Sequence, residues 1–255
     1  MKRIISILLA GFTIAFSAGC GTDSPVDEGG RITVSNATVW SAPNSVKIMK
    51  DLPIAEQDQS EGGLLSETPA ELRFDAIRGE TEGAQLMFTA SENIASFDLA
   101  VNDVKTESGA TLSAKQFEVL AERYIEVTTP TTSNPTTANM YAGWYPDALV
   151  PMDRYKARRD NKVTAGEHQG IWVNLNIPRD AEAGTYTGTA KLTLDDEKVD
   201  VPVTVTVRDL TIPEEVHARS AFAIWYDNIP FGETNMSEEM SSNIQEIYYW
   251  FITNK

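Results

Sequence analysis

Strict alternation of apolar and polar residues within residues 169–209 constrains the fold of this chain more than any other feature. Valine recurs at every second position from Val199 to Val207, and Ile171 begins a similar run that ends before Pro178. A period of two places alternate side chains on one face of a strand, whereas a helix needs a period near 3.6. Consecutive strands without a helix between them predict an antiparallel sandwich or barrel.

Shorter runs with the same alternation extend the β-rich region toward the amino terminus. Helical periodicity is almost absent before residue 230. Residues 31–213 therefore read as one mainly β domain whose sheets each bury one face. The runs that support this prediction lie at residues 70–77, 83–90, 97–101, 117–127 and 184–194.

The chain changes character near Pro213. Residues 221–226 form a continuous apolar run, and residues 237–251 place apolar side chains on one face of a helix that begins after Ser237. One strand and one helix cannot bury their own apolar surfaces, so residues 214–255 predict the start of a second domain whose remainder is missing. The alternative is a tail that packs back on the sandwich.

The amino terminus has the pattern of an export signal. Lys2 and Arg3 precede an apolar run over residues 4–16, which is shorter than the roughly 20 residues of a permanent membrane helix. Residues 1–19 are therefore predicted to be a signal peptide. Small residues lead to Cys20, the only cysteine, which we expect to be lipidated and followed by a flexible tether over residues 20–30. Ordinary cleavage, with an incidental cysteine, is the alternative.

This pattern predicts a protein that is exported and lipid-anchored to the cell envelope. No Asp directly follows Cys20, which favours the outer membrane or cell surface. The net charge of −16 argues against nucleic acid or an anionic membrane surface as a partner, because both repel an acidic protein. The predicted membrane contact is therefore made by the lipid anchor.

Residue types and spacings predict no metal and no cofactor. His168 and His217 are the only histidines, and neither lies in a pattern with metal-ligand spacing. The acidic stretch at residues 195–197 suits either a charged hairpin turn or a calcium ligand set.

An aromatic cluster follows the Thr- and Pro-rich stretch at residues 128–137, which is predicted to be a loop. Tyr141, Trp144 and Tyr145 form this cluster. Exposed aromatic rings can stack on the C–H faces of sugars, so these residues are candidate glycan contacts. The alternative is that they plug one end of the sandwich or a domain interface.

Several of these segments, in this order, resemble a known family. Together they are similar to the N-terminal β-sandwich of family 123 glycoside hydrolases and their uncharacterised relatives, and residues 220–227 resemble the first strand of the barrel that follows it. The resemblance covers about residues 70–255. The segments of the sandwich that carry it are residues 82–86 (EGAQL), 145–151 (YPDALVP), 169–178 (QGIWVNLNIP), 183–189 (AGTYTGT) and 201–213 (VPVTVTVRDLTIP).

The resemblance implies an enzyme in which the sandwich precedes a (β/α)8 barrel. Such enzymes remove N-acetylgalactosamine from glycans, with the substrate's acetamido group as nucleophile and an Asp–Glu pair assisting. No position before Lys255 matches that pair, so no catalytic residue is predicted here. Asp227, with Trp225, follows the first barrel-like strand and is a candidate for a sugar subsite or for an ordinary loop cap.

The predicted fold is therefore an immunoglobulin-like antiparallel β-sandwich at residues 31–213, followed at residues 214–255 by the first β/α unit of a truncated (β/α)8 barrel. The predicted function is the non-catalytic front portion of a lipid-anchored glycoside hydrolase, whose partner is a glycan containing N-acetylhexosamine. A stand-alone surface lipoprotein that binds glycan or acts as a scaffold is the alternative.

Overall fold

The long β-hairpin predicted from the valine repeat organises one of two sheets. The structure is a computed structural model, and it describes residues 29–60, 65, 68–129 and 142–215. The strands are β1 (Ile32–Thr33), β2 (Ala37–Ala42), β3 (Leu72–Arg78), β4 (Thr81–Ala90), β5 (Phe97–Val101), β6 (Val104–Lys105), β7 (Thr111–Leu112), β8 (Phe117–Val127), β9 (Gly143–Pro151), β10 (His168–Asn176), β11 (Gly184–Leu194) and β12 (Glu197–Thr211).

The described residues form two six-stranded sheets. Sheet 1 has the order β1-β2-β4-β10-β8-β9, and sheet 2 has the order β3-β12-β11-β6-β7 with β5 also paired to β11. Strands β11 and β12 pair antiparallel from Gly184↔Val207 to Leu194↔Glu197, which confirms the hairpin. Its two-residue turn places Asp195 at a φ of 54°. The Asp195 carboxylate accepts hydrogen bonds from backbone N–H groups, including that of Ser96 at 2.8 Å, so the acidic turn is tied to the neighbouring chain.

Two details differ from a simple antiparallel stack of consecutive strands. The chain changes sheets between Asn176 and Gly184, so β10 lies in sheet 1 although β11 and β12 lie in sheet 2. Strand β3 pairs with β12 in parallel, from Leu72↔Val203 onward. The prediction of a wholly antiparallel sandwich is therefore wrong at this edge. A long connection through the other sheet lets the chain return in the same direction, which a tight hairpin does not permit.

The facing sides of the two sheets share one hydrophobic core. Phe74 of sheet 2 lies edge-on to Phe117 of sheet 1 at 5.9 Å between ring centres, and Phe88 of sheet 1 lies against Phe97 of sheet 2 at 5.3 Å. All five valines from Val199 to Val207 are buried in this core. The alternating pattern therefore fills the space between the sheets, as a period of two requires.

A second, smaller hydrophobic cluster lies on the other face of sheet 1. It is built from Trp40 and Met87 of the sheet and from Val46 and Ile48 of residues 43–57, which we call the cover segment. In a two-sheet domain the face away from the core is usually solvated. Here the cover segment shields part of it, so polar side chains that point outward from sheet 1 become buried as well.

Short helices were missed by the sequence analysis. Helix α1 spans Ile54–Ser60 and helix α2 spans Met152–Ala157, and both are too short to show a helical period. The helix predicted at residues 237–251 and the barrel-like strand lie outside the described residues. Spatial contacts divide the chain between Ile212 and Pro213. The immunoglobulin-like topology and the domain assignments stay predictions.

Candidate functional site

Two of the predicted glycan-contacting aromatics lie at the edge of sheet 1. Trp144 and Tyr145 are near the start of β9, an edge strand that pairs only with β8 within the described residues. This strand contains Pro146, which an edge position tolerates because one side of the strand needs no ladder donors. The β8–β9 register shifts at that point, between Arg123 and Tyr124. The other predicted site residues lie outside the described residues: Cys20, Tyr141, Trp225 and Asp227.

Trp144 is half-buried and held by the cover segment. The ammonium group of Lys50 lies 5.3 Å from the centre of the indole ring, a distance that favours a cation–π contact. The backbone N–H of Lys50 also donates to the carbonyl of Trp144 at 3.0 Å. Glu167 pairs with the same ammonium at 3.0 Å. The structure therefore fixes the ring beside a cation.

Trp144 forms one wall of a small cleft at this end of sheet 1, which we call the end cleft. The cleft has a volume of about 190 Å³ and mainly polar walls. Three of its side chains are basic although the whole chain has a net charge of −16. An aromatic ring beside several donors suits a ligand with both ring faces and polar groups. Residues that line the end cleft include Lys50, Arg123, Tyr124, Trp144, Tyr155 and Lys162.

The two tyrosines of the end cleft are shielded from water. Burial raises the pKa of Tyr124 well above its usual value, and it also raises the pKa of Tyr155. The Tyr124 hydroxyl oxygen is buried and has no side-chain hydrogen-bond partner within the described part of the chain. Both phenols are therefore neutral hydrogen-bonding groups at physiological pH.

His168 connects the cover segment to sheet 1 through hydrogen bonds. Trp40 Nε1 donates to Thr89 Oγ1 at 3.1 Å, and that hydroxyl lies 2.8 Å from His168 Nδ1. His168 Nε2 lies 3.0 Å from the carbonyl oxygen of Leu52, which can only accept. The proton therefore resides on Nε2, and Thr89 donates to Nδ1. Burial lowers the pKa of His168, so the ring is neutral.

A second concave site lies between the cover segment and β9 on the outer face of sheet 1, and we call it the face groove. Its floor contains Glu122, which is only 3% exposed although it lies on the polar face of an alternating strand. Burial raises the pKa of this carboxyl to about 7. Residues that line the face groove include Asn44, Lys47, Gln85, Glu122, Leu149 and Trp172.

Sequence reasoning missed the face groove because alternation places Glu122 on the solvent side of β8. Only the fold shows that the cover segment and β9 rise on either side of it. One local signal was available in the sequence: Gly170 interrupts the bulky residues of β10. A side chain at position 170 would place its Cβ 2.0 Å from Glu122 Oε2, so the glycine makes room for the carboxyl.

The described residues contain no group of three or more His, Cys, Asp or Glu side chains that could hold a metal ion. His217 lies outside them. Within the same described ranges, no helix has the length and apolar character needed to cross a membrane.

Two sheets around a shared core, with short helices and concave sites on sheet 1, define a mainly β domain. The family model described as glycoside hydrolase 123 N-terminal domain matches residues 58–194 of the chain. This match covers more than half of the sequence, and the chain belongs to that family. The predicted family is thereby confirmed, and the protein is related to glycoside hydrolases. No curated protein sequence matches the chain.

Solved structures show the same kind of fold. A family 123 glycoside hydrolase from Clostridium perfringens, studied for glycolipid glycan hydrolysis, superimposes with a TM-score of 0.54 at 16% identity. The match covers 70% of this chain but only 28% of that enzyme. This likeness establishes the fold.

Weaker similarities were found to proteins of other functions. One is AvmM, which catalyses macrocyclization in alchivemycin A biosynthesis (TM-score 0.31, 11% identity, 58% of this chain and 88% of that chain). Another is the CooA pilin subunit of enterotoxigenic Escherichia coli (TM-score 0.28, 14% identity, 65% of this chain and 100% of that chain).

Proposed function

We propose that this chain is the non-catalytic N-terminal portion of a lipid-anchored glycoside hydrolase that acts on glycans containing N-acetylhexosamine. The observation that carries the proposal is the family match over residues 58–194, because the matched family is described as the N-terminal domain of a glycoside hydrolase. The described residues form two sheets around a shared core, with the end cleft and the face groove on sheet 1. This arrangement suits a domain that supports an enzyme or holds its substrate.

The comparison with the Clostridium perfringens enzyme supports the same separation between a non-catalytic N-terminal domain and a catalytic barrel. This chain corresponds to 28% of that enzyme, so most of the enzyme has no counterpart in the matched region. In the proposed parent, the acetamido group of the substrate is the nucleophile and an Asp–Glu pair in the barrel assists it. No such pair is assigned to this chain.

Hydrolysis of chromogenic N-acetylhexosaminides tests the catalytic part of the proposal. The 255-residue protein is expected to release no nitrophenol from 4-nitrophenyl N-acetylgalactosaminide, whereas a protein that continues through a complete barrel is expected to release it. The matched galactoside lacks the acetamido nucleophile and should remain intact with either protein. Turnover by the 255-residue protein alone would overturn the proposal. A clean stop codon after Lys255 would favour the stand-alone surface lipoprotein.

Attachment to a membrane through Cys20 is a separate part of the proposal. A lipoprotein with several acyl chains remains stably bound, whereas a single weak signal gives reversible attachment. Replacing Cys20 with Ser should move the protein from the membrane fraction to the soluble fraction and abolish incorporation of labelled palmitate. Ser24→Ala, within the predicted tether, is the control and should leave both properties unchanged. A palmitate-free wild-type protein would contradict lipidation.

A further inference from the structure

We propose that the face groove is a binding site for one neutral sugar residue, with Glu122 and Gln85 accepting its hydroxyl hydrogens and Trp172 packing against its apolar face. This role goes beyond support of a catalytic domain, and it does not depend on whether the parent protein is an enzyme. The site lies in residues that the structure describes throughout.

The groove has the size and walls of a small-ligand site. It has a volume of about 160 Å³. This is below the roughly 300–1,000 Å³ of sites that bind drug-sized ligands, so the groove suits one ring rather than a buried chain of rings. Asn44 and Lys47 of the cover segment form one wall, and β9 residues including Pro146 and Leu149 form the other.

Two oxygen atoms on the groove floor lack hydrogen-bond donors. Among the described residues, Glu122 Oε2 and Gln85 Oε1 are buried and have no partner. Each parent residue is 3% exposed, so bulk water does not replace the missing donors freely. A buried polar atom without a partner costs about 1–3 kcal/mol, and such atoms in native proteins call for an explanation. A ligand that donates to both oxygens supplies one.

The backbone is shaped to keep the carboxyl in this position. Position 170 lies directly beside Glu122 and is a glycine. Glycine is the one residue type that leaves space for Glu122 Oε2, because an added Cβ would lie 2.0 Å from it. Gln85 Nε2 lies 3.4 Å from the sulfur of Met87. The Gln85 side chain also interacts with the Glu122 carboxyl: burial, the larger effect, raises the pKa of Glu122, and this interaction lowers it in part. The amide nitrogen is thereby engaged, and the amide oxygen remains the group available to a ligand.

Trp172 supplies the apolar surface that a sugar ring needs. Its Nε1 donates to Asn174 Oδ1 at 2.8 Å, which fixes the orientation of the indole. The ring also packs closely on Gly83, where an added Cβ would lie 2.5 Å from it. A pre-oriented ring costs little entropy on binding, since its rotamer is already fixed.

The chemistry of the groove favours a hydroxyl ligand over a cation. The raised pKa of Glu122 means that its proton is present in part of the population near neutral pH. A hydroxyl can donate to the ionised carboxylate and accept from the protonated form, whereas an ammonium group suits only the former. Lys47 in the wall also repels a cationic ligand. A polyhydroxylated ring therefore fits both the acceptors and the indole.

Titration of the 255-residue protein with N-acetylgalactosamine, N-acetylglucosamine and galactose tests this proposal. The ¹⁵N-labelled protein reports binding through its tryptophan indole N–H signals, and the Trp172 signal is expected to shift in a saturable manner. Trp172→Ala, which lacks this reporter and is titrated by calorimetry instead, should raise the dissociation constant about tenfold, the equivalent of about 1.4 kcal/mol. Glu122→Gln should do the same, because its new amide N–H can donate to Gln85 Oε1 and occupy the acceptor that the sugar requires.

Glu126→Gln is the matched control. It makes the same chemical change on the same strand, at a residue that is exposed and lies outside the face groove. It should leave the dissociation constant within twofold of the wild-type value. Thermal unfolding of each variant distinguishes lost binding from lost folding.

Three outcomes would overturn the proposal: no saturable shift with any of the three sugars, binding that survives both groove variants, or tighter binding of methylammonium than of sugars. None of these outcomes bears on hydrolysis by a longer protein, which is measured separately. Failure of the sugar site and failure of the proposed enzymatic role can therefore be told apart.

Discussion

The two faces of sheet 1 bury their side chains in different ways. The inner face meets sheet 2 through apolar residues at every second position, such as Ile171 and Val173. The outer face is covered only in part, by the cover segment, and there the buried set includes Glu122, Gln85 and His168. Apolar burial between sheets needs no partner atoms, whereas each polar group under the cover needs a matched donor or acceptor. We therefore expect the inner face to determine global stability and the outer face to determine binding and local opening.

The largest expected effect belongs to the inner face. Phe74→Ala removes a ring that is 1% exposed and lies against Phe117. Truncation of a core Phe costs about 3–5 kcal/mol, since the cavity collapses only partly. Urea unfolding should show this loss as a lower midpoint. Ile125→Ala is the control, because Ile125 is 44% exposed and its truncation should change stability by less than about 0.5 kcal/mol. Equal effects of the two changes would refute the assigned core.

A buried carboxyl on the outer face should make stability depend on pH. The pKa of Glu122 is about 7 in the folded chain and is taken as 4.5 when unfolded. Between pH 4.5 and about 7 the folded state keeps a proton on Glu122 that the unfolded state has released. The stabilising contribution of this group is therefore fully present below pH 4.5 and is lost as the pH rises through about 7. At about 1.4 kcal/mol per pKa unit, the loss is of order 3 kcal/mol in alkaline solution.

Glu122→Gln removes this titration without changing the shape of the side chain. The variant should be more stable than the wild type by about 3 kcal/mol near pH 8.5 and by far less near pH 4. Chemical denaturation at several pH values measures the difference. Glu118→Gln, at an exposed position of the same strand, should show no such dependence. If the stability difference between the wild type and Glu122→Gln were constant across this pH range, it would contradict a buried carboxyl with a raised pKa.

The contrast between the two faces also explains what the sequence could predict. Alternation is a property of single strands, so the valines of β12 and their pairing with β11 followed from it directly. It contains no information on which strands share a sheet. The parallel pairing of β3 with β12 and the transfer of the chain between sheets after Asn176 therefore had no local signal.

The outer face was harder to predict for a related reason. The polar positions of β4, β8 and β10 look solvent-exposed in the sequence, and only tertiary contact with the cover segment buries them. Trp144 was identified from its residue type, but its placement on an edge strand was hidden by Pro146. Prolines usually argue against a strand, and an edge position is the exception.

The hydrogen-bond chain under the cover segment should control local opening. Thr89→Val keeps the shape of the side chain but leaves Trp40 Nε1 without its acceptor and His168 Nδ1 without its donor. The expected cost is about 1–2 kcal/mol, because buried polar atoms lose their partners. Hydrogen exchange should accelerate at the Met49 amide, which donates to Gln57 Oε1 at 2.8 Å, more than in the β11–β12 hairpin. Thr187→Val, at an exposed position of β11, should leave exchange unchanged.

The smallest expected effect concerns Trp144, which decides whether the end cleft binds glycan or only packs. Trp144→Ala removes the indole that lies 5.3 Å from the Lys50 ammonium, a contact worth about 0.5–2 kcal/mol. If the ring contacts glycan, affinity of the complete parent protein for N-acetylhexosamine-containing glycan should fall a few-fold. If it only plugs the sheet end, affinity should stay constant while the unfolding midpoint falls. Thr187→Val, at an exposed position of β11 in the other sheet, is the control and should change neither property. Because the face groove and the end cleft share no lining residue, the Trp172 indole shift with free sugars should persist in Trp144→Ala. Loss of both responses together would mean that the two concavities are one site, and the distinction between cleft and groove would have to be abandoned.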